Sequence, residues 1–270
     1  LADEHGQPER AVTFWQAVRE TDPLDKDAND ALARLYPKVG KWHSMVDLLR
    51  EQLTRVEPED KERHFALFDE IIRIYKEELA APSKVIGAWQ SVLDFDPGNR
   101  RALNALLAEY EAMNRWPDVV RILKLTIETS EDTSEQISLH RRIATLMLET
   151  FSNAAEGIVH LEAILELDPA DARANATLRE TYESRRDWTR FALVREREIE
   201  LIDDPGARHE ATVELATIAS ERVRQLEVPI RLWRQVLQTD SDHPEALHAL
   251  EGLYERAKAW PELTAILERR

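Results

Sequence analysis

The sequence predicts an all-α protein, an α-solenoid of antiparallel helical hairpins with about 15 helices. Three observations carry that expectation. First, Trp42, Trp116, Trp188 and Trp260 each sit six residues after a tyrosine (Tyr36, Tyr110, Tyr182, Tyr254) and twenty after an aspartate (Asp22, Asp96, Asp168, Asp240), in steps of 74, 72 and 72 residues. Seven residues before each aspartate stands Trp15, Trp89, Leu161 or Trp233, so one register absorbs all 7 tryptophans and four of the 5 tyrosines. Second, apolar residues recur at helical spacing on both sides of short turns. Third, glycine is only 7 of 270 residues while 33% are charged and 43% apolar, the balance of helices with one buried stripe.

Taken in order, the chain opens on a single helix at about 7–22 that plays the part of a second helix without its first. The segment 27–60 then gives a full hairpin. Ala28, Ala31, Leu32, Leu35 and Tyr36 line one helix, Gly40-Lys41-Trp42 makes the turn, and Met45, Val46, Leu48, Leu49 and Leu53 line the other. The segment 61–98 repeats the plan with Phe65, Phe68, Ile71, Ile72, Tyr75 and Leu79, then Val85, Ile86, Trp89, Val92 and Leu93. Pro58 and Asp96-Pro97 close these two hairpins, because proline cannot continue a helix and forces the residue before it toward extended backbone. Further hairpins follow at 99–133, 134–170, 171–205 and 206–242, with a truncated one at 243–270. Asn99, Asp171 and Asp242, the last with Glu245 three residues on, are the expected N-caps. Each 72-residue period therefore holds two hairpins.

These residues resemble the tetratricopeptide repeat family. Ala-Leu-Ala-Arg-Leu-Tyr, Gly-Lys-Trp and the leucine run up to Val56-Glu57-Pro58 are similar to one motif. Val85 to Pro97 and Gly157 to Pro169 are similar to the second helix and closing Asp-Pro of others. The usual first-helix glycine is replaced by Ala33, Ile72, Leu107 or Arg179. Half-a-tetratricopeptide arrays share aromatic-rich helix pairs, but the Asp-Pro closures and the Gly-Lys-Trp turn favour the former family. The resemblance implies a right-handed solenoid, a protein-interaction role and no catalysis. It also implies that first helices line a concave groove.

Periodic aromatics at helical spacing are core residues before they are a stacking platform. Trp15, Trp42, Trp89, Trp116, Trp188, Trp233 and Trp260, with the four tyrosines, are expected in the core, and Trp116→Ala is expected to cost roughly 3–5 kcal/mol. Catalytic constellations are thin. The 8 histidines (His5, His43, His64, His140, His160, His209, His243, His248) fall at unrelated repeat positions without metal-ligand spacing, so no metal site and no cofactor is expected. Glycine-rich phosphate loops and nucleophile elbows are missing.

Lys plus Arg is 36 against 52 acids, a net charge of −16, which opposes binding to nucleic acid or an anionic membrane. No apolar run reaches the length of a membrane span. The lack of cysteine removes disulfides and suits a cytosolic or an exported protein alike. On the groove face that the resemblance implies, Arg73, Lys76, Arg101, Asn104, Arg141 and Arg173 would form a cationic stripe for an acidic or C-terminal peptide segment. Alternatively, the arginines pair with Asp69, Glu70, Glu111 and Glu180. The lysine and asparagine carboxylate clamp of co-chaperone members of the family is not reproduced, since its positions carry Asp30, Arg34 and Glu70. The chain reads as a segment of a longer polypeptide. Leu263, Ile266 and Leu267 have no following hairpin to cover them, so the competing expectation is a spacer or a module that associates end to end.

Overall fold

The computed structural model describes residues 7–269. Among them are fifteen α-helices and no strand. In chain order these are α1 (Pro8–Thr21), α2 (Lys26–Lys38), α3 (Trp42–Leu53), α4 (Lys61–Arg73), α5 (Pro82–Phe95), α6 (Arg100–Ala112), α7 (Trp116–Thr129) and α8 (Thr133–Thr145). They continue as α9 (Ala154–Leu167), α10 (Ala172–Ser184), α11 (Trp188–Glu200), α12 (Pro205–Arg222), α13 (Glu227–Thr239), α14 (Pro244–Ala257) and α15 (Trp260–Arg269). Two compact units divide them: residues up to Thr129 hold α1–α7, and residues from Ser130 hold α8–α15.

Every first helix of a hairpin starts at a side-chain N-cap. The capping atom accepts the backbone N–H three residues on at Asp25 (2.7 Å), Asp60 (3.0 Å), Asn99 (3.1 Å), Asp171 (2.8 Å) and Asp204 (2.7 Å), and two residues on at Asp132 (2.9 Å). Each bond satisfies one of the orphan donors of a helix start. At α14 the expected cap, Asp242, is one residue out. His243 takes the position, with Nδ1 accepting the Ala246 N–H at 3.3 Å. The periodic aspartates instead end second helices in extended backbone, and Asp22, Asp168 and Asp240 accept the N–H two residues on, which turns the chain toward the next helix.

Two kinds of turn alternate inside the hairpins. In α2–α3, α6–α7, α10–α11 and α14–α15 one residue adopts left-handed backbone: Gly40 (φ 67°), Asn114 (54°), Arg186 (57°) and Lys258 (56°). The residue after it donates its N–H to the carbonyl of the periodic tyrosine, at 3.0, 2.8, 2.9 and 2.9 Å. In α4–α5 and α8–α9 the first helix ends in a π-helical turn, Ile74–Glu78 and Leu146–Thr150. There Leu79 and Phe151 donate five residues back at 3.0 Å each, before Ala80 (φ 44°) and Ser152 (φ 51°) reverse the chain. α12 uses neither device and runs to Arg222 before Val223 extends.

The first unit is sealed by Leu32, Leu35, Leu48, Ile74, Leu103, Leu106, Ile122 and Leu123. In the second, Leu161, Ile164, Leu178, Leu215, Trp233 and Leu250 anchor the core. Close approach matters at Gly157, where a Cβ would lie 2.9 Å from the Leu148 side chain. The absence of a side chain lets α9 pack against the π turn of the same hairpin.

Candidate functional site

The aromatic register separates into three environments. Tyr36, Tyr110, Tyr182 and Tyr254 are buried, as are Trp89 and Trp233. Trp15, Trp42, Trp116 and Trp188 are only half-buried, and Trp260 is 57% exposed, so the expectation of a uniform aromatic core needs correcting. The reason is position: Trp42, Trp116, Trp188 and Trp260 are the first residues of α3, α7, α11 and α15, where the ring lies over a turn with one side in water. Trp188 covers its flank with Phe191 (5.5 Å, edge-to-face) and the Arg222 guanidinium (5.6 Å).

The buried tyrosine hydroxyls keep their polar contact through a register the sequence reading overlooked. Gln16 Nε2 donates to Tyr36 (3.2 Å) and Gln90 Nε2 to Tyr110 (2.7 Å), while Tyr182 donates to Glu162 (3.0 Å). The spacing is twenty residues in each case, one position after the mid-helix Trp15, Trp89 or Leu161. Burial and the Glu162 carboxylate push the Tyr182 hydroxyl pKa up, and burial does the same at Tyr254.

The cationic positions are mostly engaged within the chain. Arg73 binds Glu70 with two bonds (2.7 and 3.0 Å) and approaches Glu77 and Glu78, both at 3.5 Å. That contact holds the Glu70 carboxyl below, and the Arg73 guanidinium above, their usual ranges. Arg141 pairs with Asp171. Arg101 grips Asp69 with 2.7 and 2.8 Å bonds and lies 5.3 Å over the Trp89 ring, yet its side chain is 66% exposed. Lys76, Asn104 and Arg173 are exposed. An uninterrupted stripe of free arginine charge is therefore not what the fold presents. Arg101 and Arg173 share one register position, 72 residues apart on α6 and α10.

The histidines are less scattered than their spacing suggests. His5 lies outside the described residues. His140 and the buried His160 face each other Nδ1 to Nδ1 at 2.9 Å, so one ring donates and the other accepts. Burial pushes the His140 pKa down, opposed by the Glu166 charge. More consequential for the expectation of no metal site, His209 on α12, Asp240 at the end of α13 and His243 at the start of α14 bring one ligand atom each within 4.8 Å of one another. Their separation in sequence hides that convergence, which needs three helix ends to meet.

No protein-family model and no curated protein matches the chain. Several solved helical-repeat structures are similar to it. MamA is 15% identical over 64% of this chain and 95% of its own, with a TM-score of 0.30. The C-terminal part of a TPR repeat-containing protein from Cytophaga hutchinsonii is 14% identical over 92% and 96%, with a TM-score of 0.33. A tetratricopeptide repeat protein from Parabacteroides merdae is 12% identical over 93% and 94%, with a TM-score of 0.30. The fold is a tetratricopeptide-like helical repeat. In this chain it is visible in the hairpins themselves, in the alternating caps and in the recurring tyrosine–turn bond.

Within these tetratricopeptide-like hairpins, clefts recur between successive second helices. One of about 570 Å³ between α9 and α11 is lined by Glu162, Leu165, Glu166, Pro169, Arg197 and Glu200. Another of about 390 Å³ involves Gln16, Arg19, Glu20 and Pro23 of α1 and its following turn, with Tyr36 and Glu51. Both are open, and Arg19 already pairs with Glu51 in the second. Among the described residues no helix is long and apolar enough to cross a membrane.

Proposed function

We propose that the chain is a non-enzymatic protein-interaction scaffold that holds partner peptides on the exposed side of its first helices. The observation that carries this reading is an exposed arginine at the same register position of a first helix within each unit, Arg101 on α6 in the first and Arg173 on α10 in the second. Arg101 is held by Asp69, but both partners of that pair are well exposed, and such a pair contributes roughly 0–1 kcal/mol. A carboxylate of a bound peptide can displace Asp69, whose two bonds both go to Nη1, at little cost and gain the two-nitrogen fork geometry that Asp69 does not use. Lys76 and Asn104 in the first unit add donors to that side. Arg73 and Arg141, whose carboxylate partners lie against less exposed guanidinium groups, act in the fold.

The test is affinity capture with the chain and with an Arg101→Glu/Arg173→Glu variant whose helicity is unchanged. Loss of a partner by the variant supports the reading; equal capture removes it. A second reading, end-to-end self-association, draws on the apolar groups that α1 and α15 expose: Phe14 at 61%, Trp260 at 57% and Leu267 at 50%. Sedimentation decides that reading, since it requires a mass that rises with concentration.

A further inference from the structure

We propose that His209, Asp240 and His243 form a binding site for a divalent transition-metal ion of the zinc class. All three belong to the second unit and come from different elements, His209 from the N-terminal half of α12, Asp240 from the C-cap of α13 and His243 from the N-cap of α14. One ligand atom of each lies within 4.8 Å of the others, and the two imidazoles meet edge to face at 5.7 Å. Two imidazoles and one carboxylate are the donor set of zinc and its neighbours, whereas magnesium and calcium take oxygen. Three protein ligands leave one tetrahedral position for water or another donor.

The repeat supplies an independent argument. At the equivalent of His243 the other periods carry Asp25, Asn99 and Asp171, each capping its helix through a side-chain oxygen. At the equivalent of His209 they carry Phe65 and Ile137. Both imidazoles therefore replace what the fold uses elsewhere, and they do so at the two places that converge on the periodic Asp240. Buried apolar residues stand close by, with the Trp233 ring 6.4 Å from His243 and Val236 lining the same cleft as His209. A small cleft of about 130 Å³, lined by His209, Thr212, Gln235 and Thr239 among others, opens beside the cluster.

The geometry also sets the strength. Donors around a tetrahedral ion at about 2.1 Å sit roughly 3.4 Å apart, so the three side chains close inward on binding. A neutral imidazole has one lone pair free, and that of His243 accepts the Ala246 N–H at 3.3 Å. Metal takes the ring from that long cap bond. The site is thus a clasp of modest affinity that ties α12, α13 and α14 together when loaded.

Isothermal titration of the whole chain with Zn²⁺ in a non-chelating buffer tests this, with thermal melting in parallel. His243→Asn retains a cap of the kind Asn99 provides while removing a ligand, and His209→Gln removes the other imidazole. The expectation is one Zn²⁺ per chain, a higher Tm with zinc, and at least about a tenfold weaker site in either variant, since even loss of an outer partner costs 10–100-fold. His248→Gln, at a 78% exposed side chain off the cluster, should leave binding unchanged. Failure of the unmodified chain to bind at millimolar Zn²⁺, or binding by His209→Gln and His243→Asn equal to it, overturns the proposal.

Discussion

Hairpins α4–α5 and α6–α7 have α-helices of matching length, 13 and 14 residues, and the same N-capped start but close differently. In α6–α7 the chain reverses in left-handed Asn114, Arg115 returns its N–H to the Tyr110 carbonyl, and the tyrosine ring anchors the turn beneath the Arg115 guanidinium, 4.8 Å from its centroid. In α4–α5 the helix widens into a π turn, and Ala81 returns its N–H to the Tyr75 carbonyl at 2.9 Å before Pro82 opens the next helix. One closure combines a buried tyrosine, a left-handed residue directly before the turn's returning N–H, and a bulky helix opener. The other widens the last turn before its own left-handed residue, Ala80 or Ser152, reverses the chain. That is the physical reason for a period of 72 residues instead of half of it: neighbouring hairpins place different demands on the same positions.

The largest way to break this comparison is at the tyrosine. Tyr110 is fully buried, so Tyr110→Ala should cost about 3–5 kcal/mol in urea unfolding. Trp116→Ala, at a half-buried ring in the same hairpin, should cost only about 1–2 kcal/mol. Equal costs would return the tryptophans to the core. The next effect contrasts two glycines in π-turn hairpins. Gly157→Ala meets Leu148 and should cost about 1–3 kcal/mol. Gly87→Ala, with nothing within 4 Å, should stabilise by about 0.5–1 kcal/mol through helix propensity. A thermal-melt series of the two substitutions checks both signs.

Much of the fold was legible because its determinants are local and recur. The tryptophans that open α3, α7, α11 and α15, the tyrosines before them and the Asp-Pro closures all share one register. The Gln16, Gln90 and Glu162 partners of the tyrosine hydroxyls were legible too, at twenty residues in the same period, though only the structure drew notice to them. The π turns at Ile74–Glu78 and Leu146–Thr150 were not, since a widened turn differs from an α-turn by one hydrogen-bond step and leaves no residue signature. The surface was harder still. Asp69 and Glu70 stand among the expected partners and do hold Arg101 and Arg73, whereas Arg141 meets Asp171, 30 residues away and read from the sequence only as an N-cap, because periodicity does not say what stands opposite a side chain.

A smaller effect sharpens the comparison of turns. Arg186 and Lys258 hold the left-handed position that Gly40 fills elsewhere, so Arg186→Gly should stabilise by about 0.5–1 kcal/mol, with Gly40→Ala moving the other way. The smallest is a pH dependence within α8–α9. The folded His140 pKa lies below its unfolded value of about 6.5, so the unfolded chain binds more protons between the two. The contribution is then fully present above pH 6.5 and lost as pH falls through the folded pKa. Replacing His140 with Gln should flatten that part of the stability–pH curve, and an unchanged curve would dissociate the His140–His160 pair from acid sensitivity.

The binding account is tested most directly by placing a photo-crosslinking side chain at Asn104 on α6 and, in a separate variant, at Val159, which is 59% exposed on the second helix α9. With a partner captured by affinity, the account predicts adducts from position 104 and none from position 159. Crosslinking from position 159 alone would move the interaction to the second helices and contradict it.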